Sequence, residues 1–223
     1  MNSANSSKKP KTEKRRFGYN IWYDFVKITG MLPVLLMLRT KIIYTGKKPT
    51  NRGGVLVSAN HVGMLDPIIV LTVFKFRRPH FLATDNLYRT KLSAAFFDSM
   101  HCIRTDRQNF SISAFRTITD RLASGIAVVI FPEGQINKTE KNGVLPFKDG
   151  ISFMAYKGKS PILPIYIIKR EKWYQRQKVI VGESIDMTST LGDQPSMEQI
   201  NGISLLLQEK ELELRDYYQT HFK

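Results

Sequence analysis

The sequence is poor in several features, and each shortage excludes a class of protein. Its 223 residues include one cysteine, Cys102, so no disulfide can form within the chain and a reducing compartment is expected. Cys102 itself is interpreted as a small buried hydrophobic residue rather than a nucleophile. The chain has no paired Cys and His spacing, no Walker loop, no G-x-G-x-x-G and no internal repeat. It therefore predicts no metal site and no bound cofactor. No apolar run is judged long enough to span a bilayer.

Acidic residues are also scarce, with 19 Asp and Glu against 34 Lys and Arg and a formal net charge of +15. Such a balance implies an anionic partner: nucleic acid, an anionic membrane surface, or acidic or phosphorylated substrates. A nucleic-acid-binding protein stays an alternative. However, the charge lies largely in tails and loops and no recognised nucleic-acid motif appears, so no nucleic-acid partner is predicted. The length suits one well-packed domain with an appended helical piece.

The first forty residues differ from the rest. Residues 1–16 are polar and rich in Lys and Arg, which predicts a disordered basic arm. Residues 17–40 carry aromatic and aliphatic side chains at helical spacing, which predicts an amphipathic helical segment in the membrane interface. A signal peptide competes, but Asp24 and Lys27 interrupt its approach and no small-residue cleavage site follows Leu38. The other alternative is a helix packed on the domain core.

Residues 41–223 alternate between short apolar runs and helically periodic segments, which indicates an α/β sheet with helices on its faces. The predicted strands fall at 42–45, 55–58, 80–83, 101–105, 126–131, 161–168 and 179–182. The predicted helices fall at 68–74, 87–99, 110–124, 151–157 and 196–218.

The most informative stretch runs from Ser58 to Pro67, between a predicted buried strand and a predicted helix. His61 lies in the turn and Asp66 at the helix mouth. A carboxylate that holds Nδ1–H leaves Nε2 free to take a proton, which is a general-base arrangement. The competing interpretation is that Asp66 only caps the helix and His61 fills a polar corner. Two further charged residues, Arg107 and Glu133, also follow predicted strands, where ligands bind in such sheets.

Four blocks in this order resemble the PlsC-like glycerolipid acyltransferases, which include the 1-acylglycerol-3-phosphate (lysophosphatidic acid) acyltransferases. The first matches N-H-x-x-x-x-D, the second a strand ending in Asp-Arg, the third F-P-E-G, and the fourth a proline-flanked strand preceded by F-K-x-G. The blocks are Asn60-His61 with Asp66, Ile103–Arg107, Phe131–Gly134, and Pro161–Ile165 preceded by Pro146–Gly150. The resemblance spans about residues 40–170, most of one domain on the usual size scale.

The resemblance implies a mixed, mostly parallel sheet flanked by helices. It also implies transfer of an acyl group from acyl carrier protein or CoA, as co-substrate, to the hydroxyl of a lysophospholipid acceptor, 1-acylglycerol-3-phosphate, giving phosphatidic acid. The expected place is the cytoplasmic face of the cell membrane, as a peripheral or monotopic protein. The expected catalytic residues are His61 and Asp66, and the expected substrate-binding residues are Asn60, Arg107, Glu133, Gly134 and Lys148.

Each role has a chemical reason. No Ser or Cys lies in an evident nucleophile turn, so direct transfer is favoured over an acyl-enzyme. Arg107 offers a bidentate fork for phosphate, and Lys148 would neutralise phosphate or orient the thioester. Glu133 would orient Arg107 or accept a glycerol hydroxyl. Gly134 would let backbone approach the substrate closely.

The chain departs from the family at positions where cations are usual. Gln135 and Ile136 replace a Thr-Arg pair, and Thr84 stands where the family commonly has Lys. Two cationic contacts to the acceptor are therefore missing. The alternatives are an acyltransferase for another lipid hydroxyl or amine, and a non-catalytic membrane-binding protein that keeps the fold.

Overall fold

The computed structural model describes residues 11–50, 52–106, 110–138, 144–147, 150–172, 174–192 and 195–222, with only the backbone at 11–19 and 188. The helices are α1 (Lys11–Leu38), α2 (Asp66–Val73), α3 (Lys91–Ser99), α4 (Ile112–Ala123), α5 (Ile151–Lys157), α6 (Met187–Leu191) and α7 (Met197–Phe222). The strands are β1 (Lys41–Tyr44), β2 (Val55–Ala59), β3 (His80–Thr84), β4 (Ile103–Thr105), β5 (Ala127–Ile130), β6 (Ile162–Ile167) and β7 (Lys178–Val181).

The seven strands form one sheet in the order β1-β7-β6-β2-β5-β3-β4. β2 pairs in parallel with both β5 and β6, and β3 pairs in parallel with β5 and β4. β7 runs antiparallel to β6, and β1 is parallel to β7. The predicted mixed, mostly parallel sheet is confirmed. The parallel strands end together at one edge, called here the catalytic edge.

Helices cover both faces because the central strands are apolar on both sides, as parallel strands usually are. All five residues of β2 are buried. Val57 and Ala59 face a layer that contains α1 and α2, and Leu56 faces a layer that contains α4, α5 and α7. α3 contacts α1 and belongs to the first layer.

The predicted elements lie within a few residues of the observed ones, apart from the α6 helix and a 3-10 turn at Asp85–Tyr88, which were not predicted. A larger correction concerns the basic arm, since α1 already begins at Lys11. Lys, Glu and Arg are good helix formers, and a helix established over 17–38 propagates into them at little cost. Residues 1–10 lie outside the described ranges.

Another correction concerns the length of the apolar segment. Asn20–Leu38 is long and apolar enough, by length and composition, to cross a membrane, and 22% of it is buried inside the structure. Asp24 and Lys27 lie inside this window. One such helix near an N-terminus is weak evidence of membrane association.

Polar contacts hold α1 along the domain surface. The buried Lys27 ammonium donates to the carbonyls of Phe74 (2.6 Å), Lys75 (2.9 Å) and Arg77 (2.5 Å), just past the end of α2. Asp24 forms a 2.6 Å ion pair with the exposed Arg78. A helix end carries partial negative charge, so the buried ammonium stabilises this junction. α1 therefore lies along the first layer, with its outer face exposed.

Candidate active site

The centre of the site is the turn that leaves β2 at the catalytic edge. Nδ1 of His61 lies 2.7 Å from Oδ2 of Asp66, the first residue of α2. Asp66 is 1% exposed, whereas the His61 side chain keeps 19% of its surface. The predicted His–Asp pair therefore exists in the fold, with its carboxylate buried and its imidazole open to a ligand.

Asp66 organises the whole turn. The same Oδ2 atom accepts the backbone N–H groups of Val62 at 2.6 Å and Gly63 at 2.8 Å. Asp66 is not the N-cap residue of α2, because Leu65 occupies that position and Asp66 is the first residue of the helix. Three contacts on one buried oxygen fix the direction of the carboxyl group. The carboxylate thus holds Nδ1–H of His61 and leaves Nε2 as a proton acceptor.

Glu133, from the turn after β5, holds the backbone of His61 in place. Its Oε1 accepts the His61 N–H at 3.0 Å, and its Oε2 accepts the Leu145 N–H at 3.1 Å. Glu133 is 5% exposed, and burial raises its pKa despite these two hydrogen bonds. The structure therefore gives this carboxylate a positioning contact to the His61 backbone, and its part in orienting Arg107 or accepting a glycerol hydroxyl stays a prediction.

Two more residues of the segment after β5 contact His61. The His61 ring stacks on Phe131, with ring centroids 4.4 Å apart, and the His61 carbonyl accepts the Asn137 N–H at 2.7 Å. Gly134 has a φ of +65°, a left-handed conformation that costs other residues about 1–2 kcal/mol. This glycine turns the chain between Phe131 and Asn137, so both can reach His61.

Asn60 has a structural contact that the sequence did not predict. It is fully buried, its Nδ2 donates to the Ile167 carbonyl at 3.1 Å, and its Oδ1 accepts the Ile167 N–H at 2.6 Å. Both polar groups of the side chain are thereby used to join the end of β2 to the end of β6, next to the turn that carries His61. Its part in substrate binding stays a prediction.

A carboxyl group that sequence reasoning missed lies beneath β2. Glu211 of α7 is fully buried, and the Ser58 hydroxyl donates to its Oε1 at 2.5 Å. Its Oε2 is buried with no hydrogen-bond partner among the described residues. Burial, with a smaller contribution from Glu133, raises the pKa of Glu211 well above its usual value. Glu211 thus holds the Ser58 side chain, three residues before His61.

Two predicted cations, Arg107 and Lys148, lie outside the described residues. The positions that depart from the family are described: Gln135 is exposed, and Thr84 and Ile136 are half-buried. Cys102 packs against the core, and burial raises the pKa of its thiol to about 12. A thiol in that state is a poor nucleophile, which agrees with the prediction from the sequence.

A cavity of about 320 Å³ opens on the Asp66 side of the turn. Its lining includes the apolar side chains of Leu38, Met64 and Leu65, and the basic residues Lys169 and Arg170, which follow β6. The cavity thus offers apolar surface and positive charge next to the turn that carries His61. No group of three metal-ligating side chains occurs in the part of the chain that the structure describes.

The chain, which carries this His–Asp pair at the edge of a mostly parallel α/β sheet, belongs to the acyltransferase family. The family model described as Acyltransferase matches residues 41–168, more than half of the 223 residues. The fold matches a solved structure, the 1-acyl-sn-glycerophosphate (LPA) acyltransferase PlsC from Thermotoga maritima. That match has a TM-score of 0.64 and 19% identity, and covers 94% of this chain and 84% of the other.

Curated relatives carry related names. A probable 1-acyl-sn-glycerol-3-phosphate acyltransferase from Mycoplasma genitalium is 29% identical over 163 residues, which are 70% of this chain and 60% of the relative. The 1-acyl-sn-glycerol-3-phosphate acyltransferase from Borreliella burgdorferi is 26% identical over 156 residues, which are 68% of this chain and 61% of the relative. The chain thus spans about 60% of the length of these relatives.

Proposed function

We propose that the protein moves a fatty acyl group from an acyl carrier protein or CoA thioester to the free hydroxyl of 1-acylglycerol-3-phosphate, giving phosphatidic acid. The observation that carries this proposal is the 2.7 Å contact between His61 Nδ1 and Asp66 Oδ2 at the open end of a parallel sheet. The names of the relatives support the acceptor, because two are 1-acyl-sn-glycerol-3-phosphate acyltransferases.

The proposed step needs no covalent enzyme intermediate. Nε2 of His61 takes the proton of the acceptor hydroxyl while the oxygen attacks the thioester carbonyl. The imidazolium that forms lies against the Asp66 carboxylate, which stabilises its charge. When the tetrahedral intermediate collapses, the C–S bond breaks and the thiolate leaves with the proton that Nε2 returns. Glu133 and Asn137 act through the backbone of His61 and hold it still during both transfers.

The cavity beside Asp66 is the candidate place for part of a lipid substrate. A lysophospholipid combines an apolar chain with an anionic head, and this cavity is lined by both apolar and basic side chains. Lys169 and Arg170 are the described cations of this cavity and the candidates for a second contact to the phosphate, beside the one predicted for Arg107. A second candidate function, acylation of another lipid hydroxyl or amine, is favoured by the exposed Gln135 and half-buried Ile136 in place of a Thr-Arg pair.

We also propose peripheral attachment to the cytoplasmic face of the membrane through α1. The docked helix buries Tyr23 and Lys27 but leaves the opposite side apolar and exposed. That side carries Ile21, Trp22, Phe25, Ile28, Leu32, Leu36 and Met37. Such a helix suits an interface better than a span, because its inner face is held by buried polar contacts to the domain.

The test is a reconstitution with purified protein, labelled acyl donors and a panel of acceptors. Transfer to 1-acylglycerol-3-phosphate, with acyl carrier protein and CoA thioesters compared, is the expected result. Arg107→Ala should cost about 2–5 kcal/mol if Arg107 pairs with the phosphate in a dry site, mostly in the acceptor KM. The pair Gln135→Thr with Ile136→Arg should improve use of this acceptor. Faster transfer to neutral lipids, with Arg107→Ala tolerated, would instead select the second candidate.

A further inference from the structure

An exposed apolar strip runs along α3. Leu92 is 82% exposed and Phe96 is 41% exposed, and residues four apart lie on the same side of a helix. A single exposed hydrophobic residue needs no explanation, since folded proteins carry many. A strip that continues from one element onto another does, because contiguous apolar patches mark interaction surfaces.

The strip on α3 continues onto α1. Ser99, two turns beyond Leu92 on the same side of α3, accepts a hydrogen bond from Nε1 of Trp22 at 2.9 Å. Trp22 is itself 45% exposed and stacks on Phe25, with ring centroids 5.6 Å apart. Ser99 is itself buried, so this hydrogen bond joins α1 to α3 beneath the surface, three residues from Phe96, and places the exposed face of α1 next to the exposed strip of α3.

The exposed hydrophobic residues are unequally divided between the two helix layers. Besides α1 and α3, the first layer exposes Met64 and Leu65 in the catalytic turn itself. The helices of the opposite layer expose fewer such residues, spaced far apart along the helix: Ile112 on α4, and Met197, Leu205 and Phe222 on α7. The exposed apolar surface is thus concentrated on the side of α1 and α3 and reaches the turn that carries His61.

We propose that α3 is a second bilayer contact, so that Leu92 and Phe96 enter the surface of an anionic membrane together with the exposed face of α1. This inference rests on the proposed attachment through α1. The exposed Arg89 and Lys91 at the start of α3 suit anionic headgroups, while Asp98 lies at its far end. A domain attached by a single helix in the interface can rotate about the axis of that helix. A second contact prevents this rotation and orients the turn that carries His61 toward the lipid.

The first experiment places one label at a time on the full-length protein. In a Cys102→Ala background, Ile28→Cys, Leu92→Cys and Leu205→Cys would each carry an environment-sensitive fluorophore. The proteins would be mixed with phosphatidylcholine vesicles containing phosphatidylglycerol. The proposal expects blue-shifted emission at 28 on α1 and at 92 on α3, and no shift at 205 on α7.

Four other patterns of emission shift would each have a different meaning. A shift at 28 without one at 92 overturns the α3 contact and leaves attachment through α1 intact. No shift at 28 and 92 removes the proposed attachment as well, whereas acyl transfer to water-soluble short-chain acceptors would still test the chemistry separately. A shift at 205 as well indicates adsorption without orientation. A shift at 92 that depends on protein concentration and needs no vesicles assigns the strip to a second copy of the chain. Both of these results overturn the proposal.

The second experiment removes the strip. Leu92→Ser with Phe96→Ser should weaken vesicle binding about tenfold or more, because the double variant removes apolar surface that the proposal buries in the bilayer. The matched control is Leu205→Ser, an equally large residue that is 67% exposed on the opposite layer. Equal binding by the double variant and the control, with unchanged circular dichroism, would overturn the proposal.

Discussion

Asp66→Asn removes the negative charge beside His61 while it keeps the shape of the turn. The amide oxygen of Asn can take the place of Oδ2 and still accept the N–H groups of Val62, Gly63 and His61. The turn should therefore keep its conformation. The variant loses the negative charge that faces His61 at the moment when the imidazole becomes an imidazolium.

The size of the effect follows from that charge. Two unit charges about 4 Å apart attract by about 4 kcal/mol at an effective dielectric constant of about 20. Replacing a charge-assisted hydrogen bond with a neutral one costs about 1–1.5 kcal/mol. With each 1.36 kcal/mol worth a factor of ten in rate, kcat should fall by about 10- to 1000-fold. Asp66→Asn should still be more active than His61→Ala, because the base itself remains.

The assay is the steady-state rate of acyl transfer with each substrate varied in turn, and the loss should fall on kcat rather than on either KM. Asp66→Ala is the companion variant. It leaves three N–H donors without their acceptor in a buried turn, at about 1–3 kcal/mol for each unsatisfied group, so it should also lower the free energy of unfolding. An Asp66→Asn enzyme with native kcat, or one less active than His61→Ala with an intact fold, would refute the reasoning.

Two further predictions concern the buried carboxyl groups. Glu133→Gln keeps one acceptor oxygen for two backbone N–H donors, those of His61 and Leu145. The variant should therefore lower kcat, leave the substrate KM values nearly unchanged and cost about 1–3 kcal/mol of stability. An effect confined to KM would contradict the positioning role. Glu211→Gln should gain stability relative to the native protein as pH rises. The raised pKa of Glu211 means that its stabilising protonation is complete below the unfolded value of about 4.3 and is lost as pH rises through the folded pKa. Urea unfolding at pH 5 and pH 8 would check this, and a difference in unfolding free energy independent of pH would contradict it.

The His–Asp pair could be predicted from the sequence because its geometry is local. Five positions separate His61 from Asp66, and the strand-to-helix turn between them is set by apolar runs on either side. The strands and most helices follow from short-range periodicity in the same way. The sequence predicts that His61 and Glu133 follow strands that end at the same edge of the sheet, and the parallel pairing of β2 with β5 brings the two residues together there.

The supporting contacts could not be predicted because they join distant parts of the chain. Glu133 is 72 residues from His61, Asn60 is 107 residues from Ile167, and Ser58 is 153 residues from Glu211. Each contact depends on strand order, which no local pattern gives. A polar residue at a strand end was interpreted as a ligand for substrate, whereas buried Asn60 and Glu133 bind backbone. The sequence does contain a signal for Glu211, because it is a carboxylate on the apolar face of the C-terminal helix.

The central claim is that His61 is the general base of an acyl transfer, and single-turnover transfer from a labelled acyl thioester to 1-acylglycerol-3-phosphate tests it most directly. The protein should form labelled phosphatidic acid. His61→Ala, with unchanged circular dichroism and substrate binding, should lower the rate by at least about 10²–10⁴-fold, the usual loss for a general base. A folded His61→Ala protein that transfers the acyl group at a near-native rate would contradict the account.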